Sequence, residues 1–132
     1  MITYLGVALG SAIGGVARYL CYGLLARLLG ATFPWGTLFV NVLGCVFIGF
    51  FATLTAPDGR LFVGSPYRQF VMVGICGGYT TFSSFSLETL NLVRDGEMFR
   101  ASLNVIASVA LCLVGVWLGH WLASDLNRMK GM

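Results

Sequence analysis

The sequence predicts an all-α integral membrane protein with four spanning helices, and three observations support this prediction. Of the 132 residues, 58% are hydrophobic and 10% are charged, whereas soluble domains average about 25% charged. The mean hydropathy is +0.86. Four apolar stretches each reach the roughly 20 residues that cross a hydrocarbon core of about 30 Å. They predict helices over 5–29, 36–56, 70–93 and 101–123, in a single membrane domain over 1–132.

The first stretch is expected to remain in the protein as a spanning helix. Residues 1–4 carry no basic side chain, and the apolar run is too long for a typical signal peptide, which is the competing interpretation. Gly6, Gly10 and Gly14 are spaced four apart, a pattern that lets helix backbones approach closely. Arg18 continues the series, and a guanidinium midway along a span is costly unless it pairs or faces water. Arg18 is therefore either an anion-attracting vestibule residue or a hydrogen-bonded structural charge.

Polar side chains also lie on the second and fourth helices. Thr37 and Asn41 are four residues apart and share one face of the second helix. An amide inside a span either bonds neighbouring helices together or donates to a passing ligand. Asn41 alone favours the first role, but combined with the third-helix segment described next it favours a pore. In the fourth helix, Ser102, Asn104 and Ser108 form a sparse polar line.

The third helix contains the most informative segment, residues 77–86, where glycines, hydroxyls and aromatic rings interrupt an apolar stretch. Gly77 and Gly78 each weaken a helix by about 1 kcal/mol relative to alanine, and paired glycines are common kink sites. We therefore expect a break that frees carbonyls between Gly77 and Thr80, which in lipid must meet hydrogens or a cation. Irregular backbone at membrane depth is tolerated where it lines a pore or an ion site.

The basic residues divide almost evenly between the two sides of the predicted membrane domain, so they hardly select an orientation. One side holds Arg60, Arg68, Arg128 and Lys130, and the other holds Arg27, Arg94 and Arg100. Such a balance is needed by a dual-topology protein whose copies pair antiparallel, and it also arises by chance in a small protein. The net charge of +3 lacks the basic stripe of a nucleic-acid-binding surface. We expect these cations to meet lipid headgroups.

The polar residues exclude an enzyme and favour passage of an anion. No catalytic constellation, carboxylate pair or metal cluster is present, and the lone His120 is expected to be structural. The cysteines, which occur one per helix, are expected to be packing thiols; they are Cys21, Cys45, Cys76 and Cys112. Hydroxyl and amide hydrogens and aromatic ring edges all present positive partial charge. A path lined by them favours a small anion that accepts hydrogen bonds strongly.

Two segments of the sequence resemble the signatures of the Fluc/CrcB fluoride channels: residues 36–44, GTLFVNVLG, and residues 77–86, GGYTTFSSFS. Residues 14–19 also resemble the first-helix motif of that family, and the length and four-span layout match across the chain. The sequence departs from the usual motif at Tyr79 and Ser84, neither of which supplies a ring or a carbonyl of the motif.

The resemblance implies a fluoride channel in the plasma membrane that acts as an antiparallel homodimer with two pores. It also implies a structural sodium ion held by the backbone carbonyls of Gly77 and Thr80, two per subunit, and Arg18 near the entrance. The residues assigned to the fluoride pore by the resemblance are Asn41, Phe82, Phe85, Thr37, Ser83 and Ser86, with Asn104 and Ser108 as further fourth-helix candidates. Fluoride trapped in the cytoplasm after hydrogen fluoride crosses the lipid and dissociates would be the exported ion.

Two other functions remain as alternatives. A small multidrug transporter is also a four-span, dual-topology dimer, but it needs an acidic residue in the first helix, where this chain has Arg18. A structural membrane subunit would use its glycine and serine faces only for packing, and it would pass no ion.

Overall fold

The computed structural model describes residues 1–129, and within that range four helical spans are long and apolar enough to cross a membrane. This confirms the predicted all-helical membrane architecture. Lys130, counted in the charge balance, lies outside the described residues. The spans are Ile2–Leu29, Trp35–Leu54, Ser65–Arg94 and Met98–Arg128. All four begin before the apolar stretches that predicted them, because a helix continues past the hydrocarbon core into more polar residues.

The first helix packs against the first half of the third span through glycines. A Cβ atom added at Gly10 would lie 2.6 Å from the carbonyl oxygen of Phe70 and 2.9 Å from the Cα of Gly74. A Cβ atom at Gly78 would lie 2.5 Å from the carbonyl oxygen of Ser11. The two backbones are therefore in direct contact, as the glycine spacing predicted for Gly10 and its neighbours on that face.

The second and fourth helices make the other close pair. A Cβ atom at Gly49 would collide with the carbonyl oxygen of Val116, and one at Gly119 would collide with that of Val46. These glycines allow the second helix to sit against the fourth along its length. The second helix thereby presents Asn41 to the middle of the third span.

The third span is not one regular helix. Ser65–Gln69, Phe70–Cys76 and Gly77–Tyr79 follow one another without a gap, and the middle segment is wound as a π-helix. Thr80 and Thr81 are extended, with φ/ψ of −86°/159° and −155°/117°, before the helix Phe82–Arg94 begins.

The break expected between Gly77 and Thr80 therefore does not lie at the paired glycines themselves, and the extended residues begin at Thr80. Gly77 and Gly78 are helical, and the extended residues follow them. The physical reason lies in side chains: Gly78 is used for contact with the first helix, whereas the backbone groups of Thr81 bond a side chain of the second helix.

Candidate ion pathway and cation site

One cavity of about 410 Å³ brings together most of the residues that the sequence assigned to ion sites. It lies between the second helix, the two halves of the third span and the fourth helix. Apolar side chains such as Ile48, Met72 and Leu113 form much of the rest of its wall. The predicted site residues on this cavity are Asn41, Gly77, Thr80, Phe82, Phe85 and Ser108. Predicted anion-pore and cation residues therefore share one space.

The two phenylalanine rings of this cavity differ in exposure. Their centroids are 5.2 Å apart, and the rings are tilted by 49°. Phe85 is 8% exposed within the subunit, whereas Phe82 is 76% exposed. The carbonyl oxygen of Phe85 accepts a 2.7 Å hydrogen bond from the hydroxyl of Thr89. Phe85 is thus held by its subunit, and Phe82 projects from it.

A buried amide holds the second half of the third span to the fourth helix. Asn104 is fully buried, and its Nδ2 donates to Thr89 Oγ1 at 2.9 Å. Ser108 Oγ lies 3.4 Å from Asn104 Oδ1 and donates to it. Through Thr89 this network reaches the backbone of Phe85. Asn104 thus holds the helix that carries Phe82 and Phe85 without lining the cavity itself. Ser108 does line the cavity.

Asn41 bonds both backbone groups of one extended residue. Its Nδ2 donates to the carbonyl oxygen of Thr81 at 3.0 Å, and its Oδ1 accepts from the N–H of Thr81 at 2.7 Å. An extended residue next to a strand makes a similar pair of bonds. Gly44 lies one turn further along the second helix, and a Cβ atom there would collide with Cγ2 of Thr80. Gly44 therefore lets the second helix come close enough for Asn41 to reach the backbone.

The two residues proposed for cation binding have backbone carbonyls whose regular helical donors point elsewhere. In an α-helix Gly77 O would accept from the N–H of Thr81, but that group donates to Asn41. Thr80 O would likewise accept from Ser84 N–H, but that group donates to Thr81 Oγ1 at 3.1 Å, as an N-cap bond. Oxygen donors of this kind suit a hard cation such as sodium.

The first helix contacts the same segment from the other side. Arg18 Nη1 donates to the carbonyl oxygen of Thr80 at 3.3 Å. The thiol of Cys21 and the hydroxyl of Tyr79 are 3.3 Å apart. Two roles were left open for Arg18, and this contact corresponds to the hydrogen-bonded structural charge. A carbonyl oxygen has two lone pairs, so this bond leaves Thr80 O one further position.

The remaining predicted hydroxyl groups bond within the subunit. Thr37 is 1% exposed, and its Oγ1 donates to the hydroxyl of Tyr22 at 3.1 Å. Ser83 Oγ lies 3.1 Å from Thr81 Oγ1, and Ser86 Oγ donates to the carbonyl oxygen of Phe82 at 2.9 Å. These three hydroxyls are not on the cavity described above. Ser83 and Ser86 lie on the helix Phe82–Arg94, which also carries the two rings of that cavity.

A second cavity, of about 350 Å³, lies toward the end of the helices and contains residues that the sequence did not assign to a site. Thr37, a predicted pore residue, lines it together with the unassigned Glu88, Asn91 and Asp95. Oε2 of Glu88 is buried and has no hydrogen-bond partner within residues 1–129. The available signal was that Glu88 is the only acid within the predicted spans. The sequence also did not single out Thr81 as a site residue, because its hydroxyl is one of several between residues 80 and 86.

Comparison with known proteins gives consistent matches over nearly the whole chain. The family described as CrcB-like protein, Camphor Resistance (CrcB), matches residues 5–120. A protein of Opitutus terrae named Fluoride-specific ion channel FluC is 61% identical over 131 residues, which cover 99% of each chain. Proteins with the same name from Paramagnetospirillum magneticum and Methylocella silvestris are 60% and 56% identical. These matches cover 97% of this chain and 100% and 98% of the relatives.

Proposed function

This chain belongs to the CrcB family and is a fluoride channel, and we propose that it works as an antiparallel homodimer with two pores and a central sodium ion. The family match agrees with the resemblance drawn from residues 36–44 and 77–86. The chain is a multi-pass membrane protein, and the plasma membrane is where fluoride export would operate. The multidrug and structural-subunit alternatives are not favoured.

The observation that carries the pore proposal is the shared cavity of about 410 Å³ with its ring pair. Asn41 offers a polar hydrogen to this space, and Phe82 and Phe85 offer ring edges. Phe82 is 76% exposed in the isolated subunit, which supports a second subunit completing the wall. Each pore would then be built from both chains.

The proposed cation site rests on the carbonyls of Gly77 and Thr80. Both have lost their regular helical donors, and both residues line the cavity. Two carbonyls from each of two subunits would give four oxygen ligands on the dimer axis. A bound sodium ion would supply a fixed positive charge between the two anion paths. A Cβ atom added at Gly77 would meet its nearest neighbour, Met72 O, only at 4.0 Å, so this residue faces open space.

Passive conduction is sufficient for export. Hydrogen fluoride enters as a neutral molecule and dissociates in a near-neutral cytoplasm, which leaves fluoride trapped. In a cell with a negative interior, each exported anion gains about 2.3 kcal/mol per 100 mV. Donor groups along the path replace part of the hydration shell of fluoride, so no energy source beyond the membrane potential is required.

The dimer proposal is tested by forcing the orientation of the chain. Two lysines added to the loop between Leu54 and Ser65 bias every copy one way, and two added to the loop after Arg94 bias every copy the other way. Each variant alone is expected to lose fluoride flux and the coexpressed pair to regain it, because only the pair supplies both orientations. Full flux from either variant alone would contradict the antiparallel dimer.

A further inference from the structure

The irregular segment of the third span is held by two side chains, and each acts on one carbonyl of the proposed cation site. Asn41 takes the N–H of Thr81, at 2.7 Å, that a regular helix would give to Gly77 O. The hydroxyl of Thr81 takes the N–H of Ser84, at 3.1 Å, that a regular helix would give to Thr80 O. The two redirected N–H groups, of Thr81 and Ser84, are three residues apart in the chain, as are the carbonyls of Gly77 and Thr80.

These bonds decide whether the two carbonyls keep their helical donors, and Thr80 O also accepts a bond from Arg18. Without an acceptor on Asn41, the N–H of Thr81 would be left unbonded at membrane depth, which is costly, and the backbone acceptor that a regular helix supplies is Gly77 O. Continuation of the helix through Thr81 would satisfy that N–H and would consume the Gly77 carbonyl. The N-cap bond of Thr81 likewise keeps the N–H of Ser84 from bonding Thr80 O.

The rest of the segment is compatible with either path. Thr80 N–H still donates to Cys76 O at 3.0 Å, so the helix is regular up to that bond. Among residues 1–129, the only positive φ angles are at Gly30 and Gly96, far from this segment. No backbone conformation reserved for glycine therefore enforces the interruption, and the side-chain bonds are left as its cause.

We propose that Asn41 and Thr81 are positioning residues for the cation site, and that Asn41 thereby serves both ions of the channel. One Nδ2 hydrogen of Asn41 is used on Thr81 O, and an amide nitrogen carries two. The second hydrogen is available to an anion in the cavity that Asn41 lines. The amide on the anion path thus also keeps the Gly77 carbonyl open. This inference rests on the proposed sodium site.

The test measures sodium dependence of assembly, separately from flux. Purified protein is stripped of sodium by dialysis into an N-methylglucamine buffer, and the dimer fraction is measured by light scattering while sodium chloride is added. For Asn41→Ala we expect the sodium midpoint to rise by about tenfold or more, which corresponds to about 1.4 kcal/mol. For Asn41→Asp we expect a midpoint within about threefold of wild type, because a carboxylate oxygen still accepts from Thr81 N–H. Its fluoride flux should be lost, because the donor is gone and a negative charge faces the anion.

Thr81 supplies a second pair of variants that leaves the lining of the anion cavity unchanged. Thr81 is 7% exposed and does not line that cavity. Thr81→Val keeps the shape without the acceptor and should raise the sodium midpoint, whereas Thr81→Ser should restore it. This pair remains decisive if Asn41→Ala fails to fold.

The outcomes separate the inference from the function on which it rests. Wild-type protein whose assembly ignores sodium would overturn the cation site and this inference together. Sodium-dependent wild type with unchanged midpoints in Asn41→Ala and Thr81→Val would leave the cation site standing and overturn the positioning roles. A midpoint raised equally in Thr81→Val and Thr81→Ser would also contradict the proposed role of the hydroxyl.

Discussion

Replacing Phe82 with isoleucine removes a ring edge from the proposed anion path at little cost to the subunit. Phe82 is 76% exposed, and substitutions at exposed sites usually change stability by less than about 0.5 kcal/mol. The lost interaction has the size of a ring contact, about 0.5–1.5 kcal/mol, which is roughly a two- to twelve-fold change in rate. We therefore expect Phe82→Ile to lower fluoride flux by that factor while the dimer still assembles. Phe85→Ile should also lower flux, but Phe85 is buried, so its stability must be measured alongside.

The assay is fluoride-electrode efflux from proteoliposomes, with the dimer fraction measured on the same preparation. The matched control is Phe51→Ile, because Phe51 also belongs to a ring pair, with Phe47 at 6.2 Å, but does not line the shared cavity. The control should conduct as wild type does. If Phe82→Ile and Phe85→Ile both conduct normally, the rings only pack, and the ring-edge reasoning is refuted.

Two further predictions concern packing inside the subunit. Gly119→Val should strongly lower the thermal unfolding midpoint in detergent, because a Cβ atom at residue 119 would collide with the carbonyl oxygen of Val46. Gly23→Ala should leave the midpoint unchanged, because a Cβ atom at residue 23 would meet no atom within 4 Å. Equal midpoints in the two variants would contradict the close helix pair. Asn104→Leu should cost about 1–3 kcal/mol by leaving its buried partners unbonded, seen as a lower midpoint, whereas an unchanged midpoint would show that the amide network carries no stability.

The spans and their glycine contacts were predictable because the bilayer imposes them locally. A segment must be about 20 apolar residues long to cross, and its backbone must be satisfied within the segment. Gly10 and Gly119 lie at four-residue spacing from other glycines, and that spacing alone marks a face where backbones meet. Both make such contacts in the structure.

The location of the irregular residues was not predictable from local propensity. Glycine content pointed to Gly77 and Gly78, but the extended residues are Thr80 and Thr81. The determining bond comes from Asn41, 40 residues earlier in the sequence, and no window of neighbouring residues contains that information. The bond of Asn104 was not predictable for the same reason, since its partner Thr89 lies on another helix. The two-pore dimer and the sodium ion stay predictions.

Ion selectivity in liposomes tests the central claim most directly. Purified protein is reconstituted into vesicles loaded with potassium fluoride or potassium chloride, and efflux is started with valinomycin and followed with the matching ion electrode. Hydrogen bonds from the donors of the proposed path compensate less for the lost hydration of chloride than for that of fluoride, because chloride is larger and a weaker acceptor. We expect rapid and complete fluoride release, with chloride retained almost entirely. Comparable rates for the two ions, or release of neither, would contradict the account.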